Sequence, residues 1–403
     1  MSDKDGKSTS VVFLCGAASD GTIGLCDRTL FEKAVHEVAT NGDDLIALCH
    51  DGCYHLDTAI RVNDCRFKTS SFCAGINTTY ALSSGQHVVY SWGEGTYGEL
   101  GLGLCKTRVQ EPAPVRHKSS FNSLSCGHFH CIALDHKGNA YSWGQNFDRQ
   151  LGLYSNDSSR FDSPNYMVEE VMFVPSLLPF SLLSPIKKVS CGARFTVAIG
   201  MNGDLWSWGA GECGQLGTGL CTKKEAPSKV LICKPLPNIN EYNSIVVKNA
   251  LEDKNLLKVA DVACGDSHVL AVGYDGSTYT WGLNNRGQLG LGDADTRHYP
   301  SLITSFTCIK VYANGLSSAG ISTAGDLYTW GSGSKFRLMQ QTEQEEGNNR
   351  LGDSTHKFTP TYVDALYGNI VKSFVFSRTG SAALVVTRLY EVIYFNILYS
   401  TTP

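Results

Sequence analysis

The stretch Cys126-Gly127-His128-Phe129-His130-Cys131-Ile132-Ala133-Leu134, continued by Asp135-His136-Lys137-Gly138, Tyr141-Ser142-Trp143-Gly144 and Gln150-Leu151-Gly152, decides how the chain is read. Two short apolar or aromatic runs flank a four-residue turn whose Gly supplies the positive φ of a tight hairpin. The second run ends in Trp-Gly, and a loop then leads to Leu-Gly. A large ring fills the space between packed sheets, and Gly allows close backbone approach.

The pattern recurs along the chain. Five of the six Trp residues precede Gly, at Trp92, Trp143, Trp208, Trp281 and Trp330. The first four lead to Leu100-Gly101, Leu151-Gly152, Leu216-Gly217 and Leu289-Gly290, and Cys15-Gly16…Ile23-Gly24 is a fainter copy. The opening element returns as Cys264-Gly265-Asp266-Ser267-His268-Val269-Leu270-Ala271-Val272 and, in part, as Cys191-Gly192-Ala193-Arg194-Phe195. Alignment places unit starts near Thr40, Ala74, Cys126, Cys191, Cys264, Ala313 and Phe376, in steps of 34, 52, 65, 73, 49 and 63 residues. Repeats of short strands separated by turns predict an all-β fold, a seven-bladed β-propeller of about 50-residue units that hides sheet edges by closing radially. No helical periodicity runs longer than Leu30–Val38, which reads as one short helix or a loop turn. The half-repeat at Cys15-Gly16 predicts closure by Val11–Leu14 pairing near Ala382–Val386, with Tyr390–Leu398 as competitor for that slot. The expected organisation is a flexible segment over 1–10, a propeller over 11–390 and a tail or further edge strand over 391–403.

The 403 residues are 42% hydrophobic and 18% charged, with a net charge of −4. That composition indicates a folded chain with no global attraction for nucleic acid or an anionic membrane. No stretch approaches the roughly 20 apolar residues of a membrane span. Fifteen cysteines is an odd number, and the start Met-Ser-Asp-Lys-Asp-Gly-Lys lacks an apolar core. Reduced thiols, a cytoplasmic or nuclear location and a monomer are therefore expected.

Several motifs have plain explanations. Gly93-x-Gly95-x-x-Gly98 and Gly209-x-Gly211-x-x-Gly214 match a dinucleotide fingerprint, but no helix pattern follows and the repeat loop accounts for both. Cys49-His50-Asp51-Gly52-Cys53-Tyr54-His55 has metal-ligand residue types, yet alternate strand residues face opposite ways, and the segment reads as the hairpin of the first unit. Cys126, Cys191 and Cys264 share one repeat position, where a redox or metal ring near the axis competes with small apolar filling of a narrow strand. His130 and His268 read as repeat residues bonded to neighbouring backbone rather than acid–base groups. No cofactor and no metal are expected.

The Trp-Gly…Gly-Gln-Leu-Gly pattern, combined with Gly-x-x-His-x-x-Ala-Leu, resembles the regulator of chromosome condensation family. The resemblance covers roughly residues 11–390 and implies a seven-bladed propeller that binds other proteins. In the family's exchange factor for the Ran GTPase, acidic and His residues of these turns face the GTPase, and Asp266 matches one such acidic position. Its aligned neighbours here are His128, Ala193 and Gly315, and a lysine-rich N-terminal tail is absent. From Gly331 to Leu351 is 20 residues where Gly282 to Leu289 is 7, which predicts an insertion containing Lys335, Phe336, Arg337, Leu338 and Met339. The candidate partner-binding residues are thus Asp266, His268, His128 and Lys335–Met339. The expected function is a non-enzymatic interaction module using one face and the loops at Tyr154–Pro185, Thr222–Leu257 and Ser334–Asn349. The alternative is guanine-nucleotide exchange on a small GTPase of Ran or Rab type, without covalent catalysis. A light- or redox-sensing member would need further tryptophans on one face, and all here but Trp206 are repeat residues.

Overall fold

A computed structural model of the chain describes residues 10–15, 35–40, 45–49, 52–55, 67–103, 107–153, 170–233, 256–333, 338, 356–368, 370–376 and 383–388. These form seven sheets. After β1 (Ser10–Cys15) comes sheet one, with β2 (Val35–Thr40), β3 (Leu45–Cys49) and β4 (Gly52–His55). Sheet two holds β5 (Thr69–Ala74), β6 (Thr78–Ser83), β7 (Val89–Glu94) and β8 (Arg108–Pro114). Sheet three holds β9 (Phe121–Cys126), β10 (His130–Asp135), β11 (Ala140–Gln145) and β12 (Val171–Leu177). A short helix, α1 (Pro179–Leu183), leads to sheet four: β13 (Ile186–Cys191), β14 (Phe195–Gly200), β15 (Leu205–Gly209) and β16 (Lys224–Val230). Sheet five holds β17 (Val259–Cys264), β18 (His268–Gly273), β19 (Ser277–Gly282) and β20 (Arg297–Thr307). Sheet six holds β21 (Lys310–Asn314), β22 (Ser317–Ile321), β23 (Leu327–Gly331) and β24 (Lys357–Tyr362). Sheet seven combines β25 (Ile370–Phe376) and β26 (Ala383–Arg388) with β1.

Each unit start read from the sequence falls at the end of a first strand, namely β2, β5, β9, β13, β17, β21 and β25. Those first strands touch in a closed cycle, β2 to β5, β9, β13, β17, β21, β25 and back to β2, as a propeller requires. The register Ser10↔Arg388 through Cys15↔Ala383 closes the ring with the predicted N-terminal strand. Tyr390–Leu398 lies outside the described residues. Val35–Thr40 is strand, so the helical reading is corrected over Val35–Val38, where Val35 and Val38 follow the pairing of β2 with β3, and 30–34 lie outside the described residues. Among the described residues no helix is long and apolar enough to cross a membrane.

Burial explains which run becomes which strand. The second strands β6, β10, β14, β18 and β22 are buried throughout and read as near-continuous apolar runs. The fourth strands are half-exposed, and each carries Pro: Pro112 and Pro114, Pro175, Pro227, Pro300 and Pro360. Proline lacks the N–H that a further strand would need, so it sits on an outer edge and blunts it.

Trp-Gly works as one device. Trp143, Trp208, Trp281 and Trp330 are fully buried between sheets. Each indole N–H donates to a carbonyl of the preceding sheet: Trp143 to Glu99 at 2.7 Å, Trp208 to Gln150 at 2.9 Å, Trp281 to Gln215 at 2.9 Å and Trp330 to Gln288 at 3.0 Å. The following Gly bulges the third strand; at Gly144 φ is 102° and an added Cβ would lie 2.4 Å from the Phe129 carbonyl. The dinucleotide-like glycines begin at the ends of β7 and β15 and continue into the loops after them, and among the described residues a strand, not a helix, follows each set.

Candidate functional site

The turn after each first strand and the loop after each third strand open on the same face. The register shows it directly: His130, which starts β10, pairs with Gly144 at the end of β11, and His268 pairs with Gly282 in the same way. On this face the turns are joined by a belt of backbone hydrogen bonds. The amide of Ile76 donates to His128 O, that of His128 to Ala193 O, that of Ala193 to Asp266 O and that of Asp266 to Gly315 O, at 2.9 to 3.2 Å. The belt rims a cavity of about 210 Å³ at the axis, lined by Cys73, Cys126, Cys191, Cys264, Asp266 and Gly315 among others.

Across this rim His128 Nε2 meets Asp266 Oδ1 at 3.2 Å, although the two residues belong to sheets three and five. The turn of sheet four lies between them and offers Ala193, too small to block the contact. Two of the sequence candidates are thus brought together, half-exposed. Beside them Tyr97, from the loop after β7, makes edge-to-face contacts with Phe129 and Phe147, each at 5.7 Å between centroids. Phe147 is 43% exposed and Ile76 45%. Arg194 Nη1 bonds Asp148 Oδ2 at 3.1 Å on the same face. The sequence reading missed this cluster; the signal was an aromatic residue at non-core loop positions Tyr97, Phe129 and Phe147 of neighbouring units.

The third candidate, His268, lies beneath the rim and is fully buried, so it is corrected from partner contact to internal group. Its Nε2 meets Ser318 Oγ of the next sheet at 2.9 Å, and Ser318 donates to Gln288 O at 2.7 Å. His130 repeats the arrangement with Thr196 at 3.1 Å and Gln150 O at 3.0 Å. The partners are next-sheet hydroxyls, not the neighbouring backbone expected. Burial holds His130 down to about 3 and His268 to about 4, so both are neutral at physiological pH. Each ring occupies the space where its turn's Gly lacks a side chain: a Cβ at Gly265 would lie 2.1 Å from His268 Cε1, and one at Gly127 would lie 2.2 Å from His130 Cε1. That contact is the physical content of Gly-x-x-His.

The expected insertion is also relocated. Leu338 is 2% exposed, and its carbonyl accepts from Thr329 Oγ1 at 2.5 Å. Ser91, Ser142 and Ser207 donate equally to Leu100, Leu151 and Leu216, nine residues on. Leu338, rather than Leu351, is therefore the repeat leucine, and as a partner contact it is corrected. The additional residues follow it: Leu338 precedes β24 by 19 positions, whereas Leu289 precedes β20 by 8. Lys335, Phe336, Arg337 and Met339 lie outside the described residues. The described parts of the third-strand loops, up to Leu153 and at Leu338, belong to the His128–Asp266 face, whereas Cys233 and Leu256, between a fourth strand and the next first strand, belong to the opposite face; 154–169, 234–255 and 339–355 lie outside the described residues.

Of the shared cysteine position, Cys191 and Cys264 are buried, with Sγ at 3.4 Å and 3.5 Å from carbonyls of Ser125 and Ser190. Burial pushes the Cys191 thiol up to about 12 and raises that of Cys264 as well. Cys126 differs, lying against Cys73 and Cys131. Around the Cys49–His55 motif β3 and β4 pair antiparallel as expected, with Cys49 opposite Gly52, and residues 50 and 51 lie outside the described residues.

Known proteins are similar to this chain in sequence and in fold. The ultraviolet-B receptor UVR8 of Arabidopsis thaliana is 31% identical over 267 residues, 65% of this chain and 52% of the relative. Protein RCC2 of Homo sapiens is 29% identical over 256 residues, 60% of this chain and 46% of the relative. The chain thus spans about half the length of these two curated relatives. Yeast RCC1 (Prp20), solved with Kap60 bound, superposes with a TM-score of 0.70 at 18% identity, covering 94% of this chain and 89% of that one. The RCC1-like domain matches residues 12–391, and with that extent the chain belongs to the RCC1-like domain family.

Proposed function

We propose that the chain is a protein-interaction propeller that docks its partner on the His128–Asp266 face. The observation that carries this reading is the aromatic cluster Tyr97–Phe129–Phe147, built from two adjacent sheets with Phe147 43% exposed. Aromatic side chains and Arg are the usual energetic anchors of protein interfaces, and a polar rim surrounds them. Here the rim is His128, Asp266, Asp148 and Arg194. The face rests on sheets tied by the Trp and His bonds, so the anchors are held before binding and less entropy is lost on association. Relatives named as a light receptor and, in the case of HERC2, as an E3 ubiquitin-protein ligase support a shared framework with differing partners.

Capture of cellular proteins by the full chain tests this by comparing variants. Phe147→Ala and Tyr97→Ala are expected to weaken a bound partner by at least about 1 kcal/mol each, the level that marks an interface anchor. Tyr274→Ala, on a hairpin turn of the opposite face, is expected to leave capture unchanged. Partners retained by Phe147→Ala and lost on Tyr274→Ala would sink the proposal.

Guanine-nucleotide exchange on a small GTPase is the second reading. It is favoured by the placement of Asp266 on the face that also carries the loops after the third strands. It requires accelerated release of labelled GDP from a member of a Ran- and Rab-like panel, weakened by Asp266→Ala. No acceleration across the panel removes it.

A further inference from the structure

Three sulfurs from two sheets converge at the wall of the axial cavity, and the interaction reading makes no use of them. Cys73 lies on β5, Cys126 ends β9, and Cys131 stands opposite Cys126 on β10. Cys73 and Cys126 form a disulfide between sheets two and three, with Cα atoms 6.1 Å apart. Cys131 Sγ is 3.1 Å from Cys126 Sγ, and all three sulfur atoms lie within 4.8 Å of one another. Cys73 and Cys126 line the cavity of about 210 Å³, whereas Cys131 is buried behind them. The three sulfurs therefore present one open side, toward the cavity.

We propose that the reduced protein holds a thiophilic divalent cation of the zinc class on Cys73, Cys126 and Cys131, with water from the cavity as the fourth ligand. Soft thiolates select such cations over magnesium or calcium. Thiolates at about 2.3 Å from zinc stand about 3.8 Å apart in a tetrahedral site, a separation within the 4.8 Å span of the present cluster. Binding converts three thiols to thiolates and releases three protons, leaving a net charge of −1 on the ligated centre. The disulfide is the competing, metal-excluding form of the same sulfurs. A phosphine reductant opens it by taking up oxygen from water as its oxide, which returns two thiols. The cation ties sheet two to sheet three at the rim, next to His128.

The full chain, reduced with a phosphine and then freed of it, is titrated with Co²⁺ and Zn²⁺. One equivalent of Co²⁺ with a thiolate charge-transfer band, displaced by Zn²⁺, is expected. Cys73→Ser and Cys126→Ser are expected to lower the affinity at least about tenfold. Cys221→Ser, at an exposed thiol outside the cluster, is expected to match the parent. Alkylation footprinting of the unmutated chain needs no folded variant: Zn²⁺ should protect Cys73 and Cys126 but not Cys221. An unchanged Co²⁺ spectrum in Cys73→Ser, absence of Zn²⁺ protection, or a reduced chain that takes no cation and re-forms only the Cys73–Cys126 disulfide would each overturn the assignment.

Discussion

Sheets five and six are neighbours built to one plan from different residues. In sheet five the turn reads Gly265-Asp266-Ser267-His268, and in sheet six the aligned turn reads Asn314-Gly315-Leu316-Ser317. His268 fills the space above Gly265, so no side chain fits there. Ser317 is small and donates to Ser332 O instead, and its turn accommodates Asn314, whose amide reaches Phe376 O at 2.9 Å. In these two sheets the positions vary together, Gly with a ring and Asn with a small residue, whereas sheet two pairs Gly75 with Thr78. Sheet four obeys the same rule, because a Cβ at Gly192 would lie 1.9 Å from the Phe195 ring. Across the sheet boundary a second match appears. His130 faces Thr196 and His268 faces Ser318, whereas Phe195 packs in one apolar cluster with Val269. The loops differ similarly: Gly287-Gln288-Leu289-Gly290 keeps the motif, while Phe336-Arg337-Leu338-Met339 keeps only its leucine. Geometry is retained where the motif is not.

The largest test of that comparison removes the leucine. Leu338→Ala and Leu289→Ala should cost equally, about 2–5 kcal/mol each, as large-to-small changes at buried sites. Leu351→Ala should change the denaturation midpoint little, and the opposite ranking would return the repeat leucine to position 351. Next, Gly265→Ala should destabilise by about 1–3 kcal/mol through overpacking. Adding His268→Ser, which copies sheet six, should recover part of the loss in a double-mutant cycle. Additive losses would show that the two positions are independent. The smallest effect is acid-linked. Burial depresses the folded-state pKa of His268 to about 4, below its ordinary 6.5, so the unfolded chain binds the proton more readily. The penalty is absent above about pH 6.5 and grows as pH falls toward 4, reaching about 1 kcal/mol near pH 5.5. His268→Ser should flatten that part of the stability profile, measured by denaturant titration at each pH; an unchanged slope would mean that the imidazole is not kept from protonating.

Much of this was legible in residue order. Trp-Gly and Leu-Gly fixed unit boundaries because an interblade indole and a positive-φ bulge tolerate few substitutes. Closure by Val11–Leu14 was legible because a half-repeat needs a partner strand. The prolines of the fourth strands carried an unread signal for the outer edge. The position of the additional residues in sheet six was misread because Leu351-Gly352 imitates the motif, whereas the true site is marked by a Thr329 hydroxyl nine residues earlier than Leu338. The His128–Asp266 pair and the Tyr97–Phe129–Phe147 cluster join residues of different units. Such juxtapositions depend on how the units are arranged round the axis, and no local pattern encodes them. Burial of His268 was hidden for a related reason, since the hydroxyl that receives it belongs to the next unit.

Ring closure also sets a timetable. Cys15 pairs with Ala383, about 370 residues later in the chain. At about 5–20 residues per second, β1 emerges on the order of 20–70 s before its partner strand is synthesised. Sheets two to six can form from local hairpins within that interval, but sheet seven has to wait for the last strand. Until then β1, Ser-Val-Val-Phe-Leu-Cys, is an apolar strand with no mate, and another nascent copy offers the same sequence. The length of chain between β1 and β26, rather than anything in one sheet, therefore sets how long that strand stays unpaired.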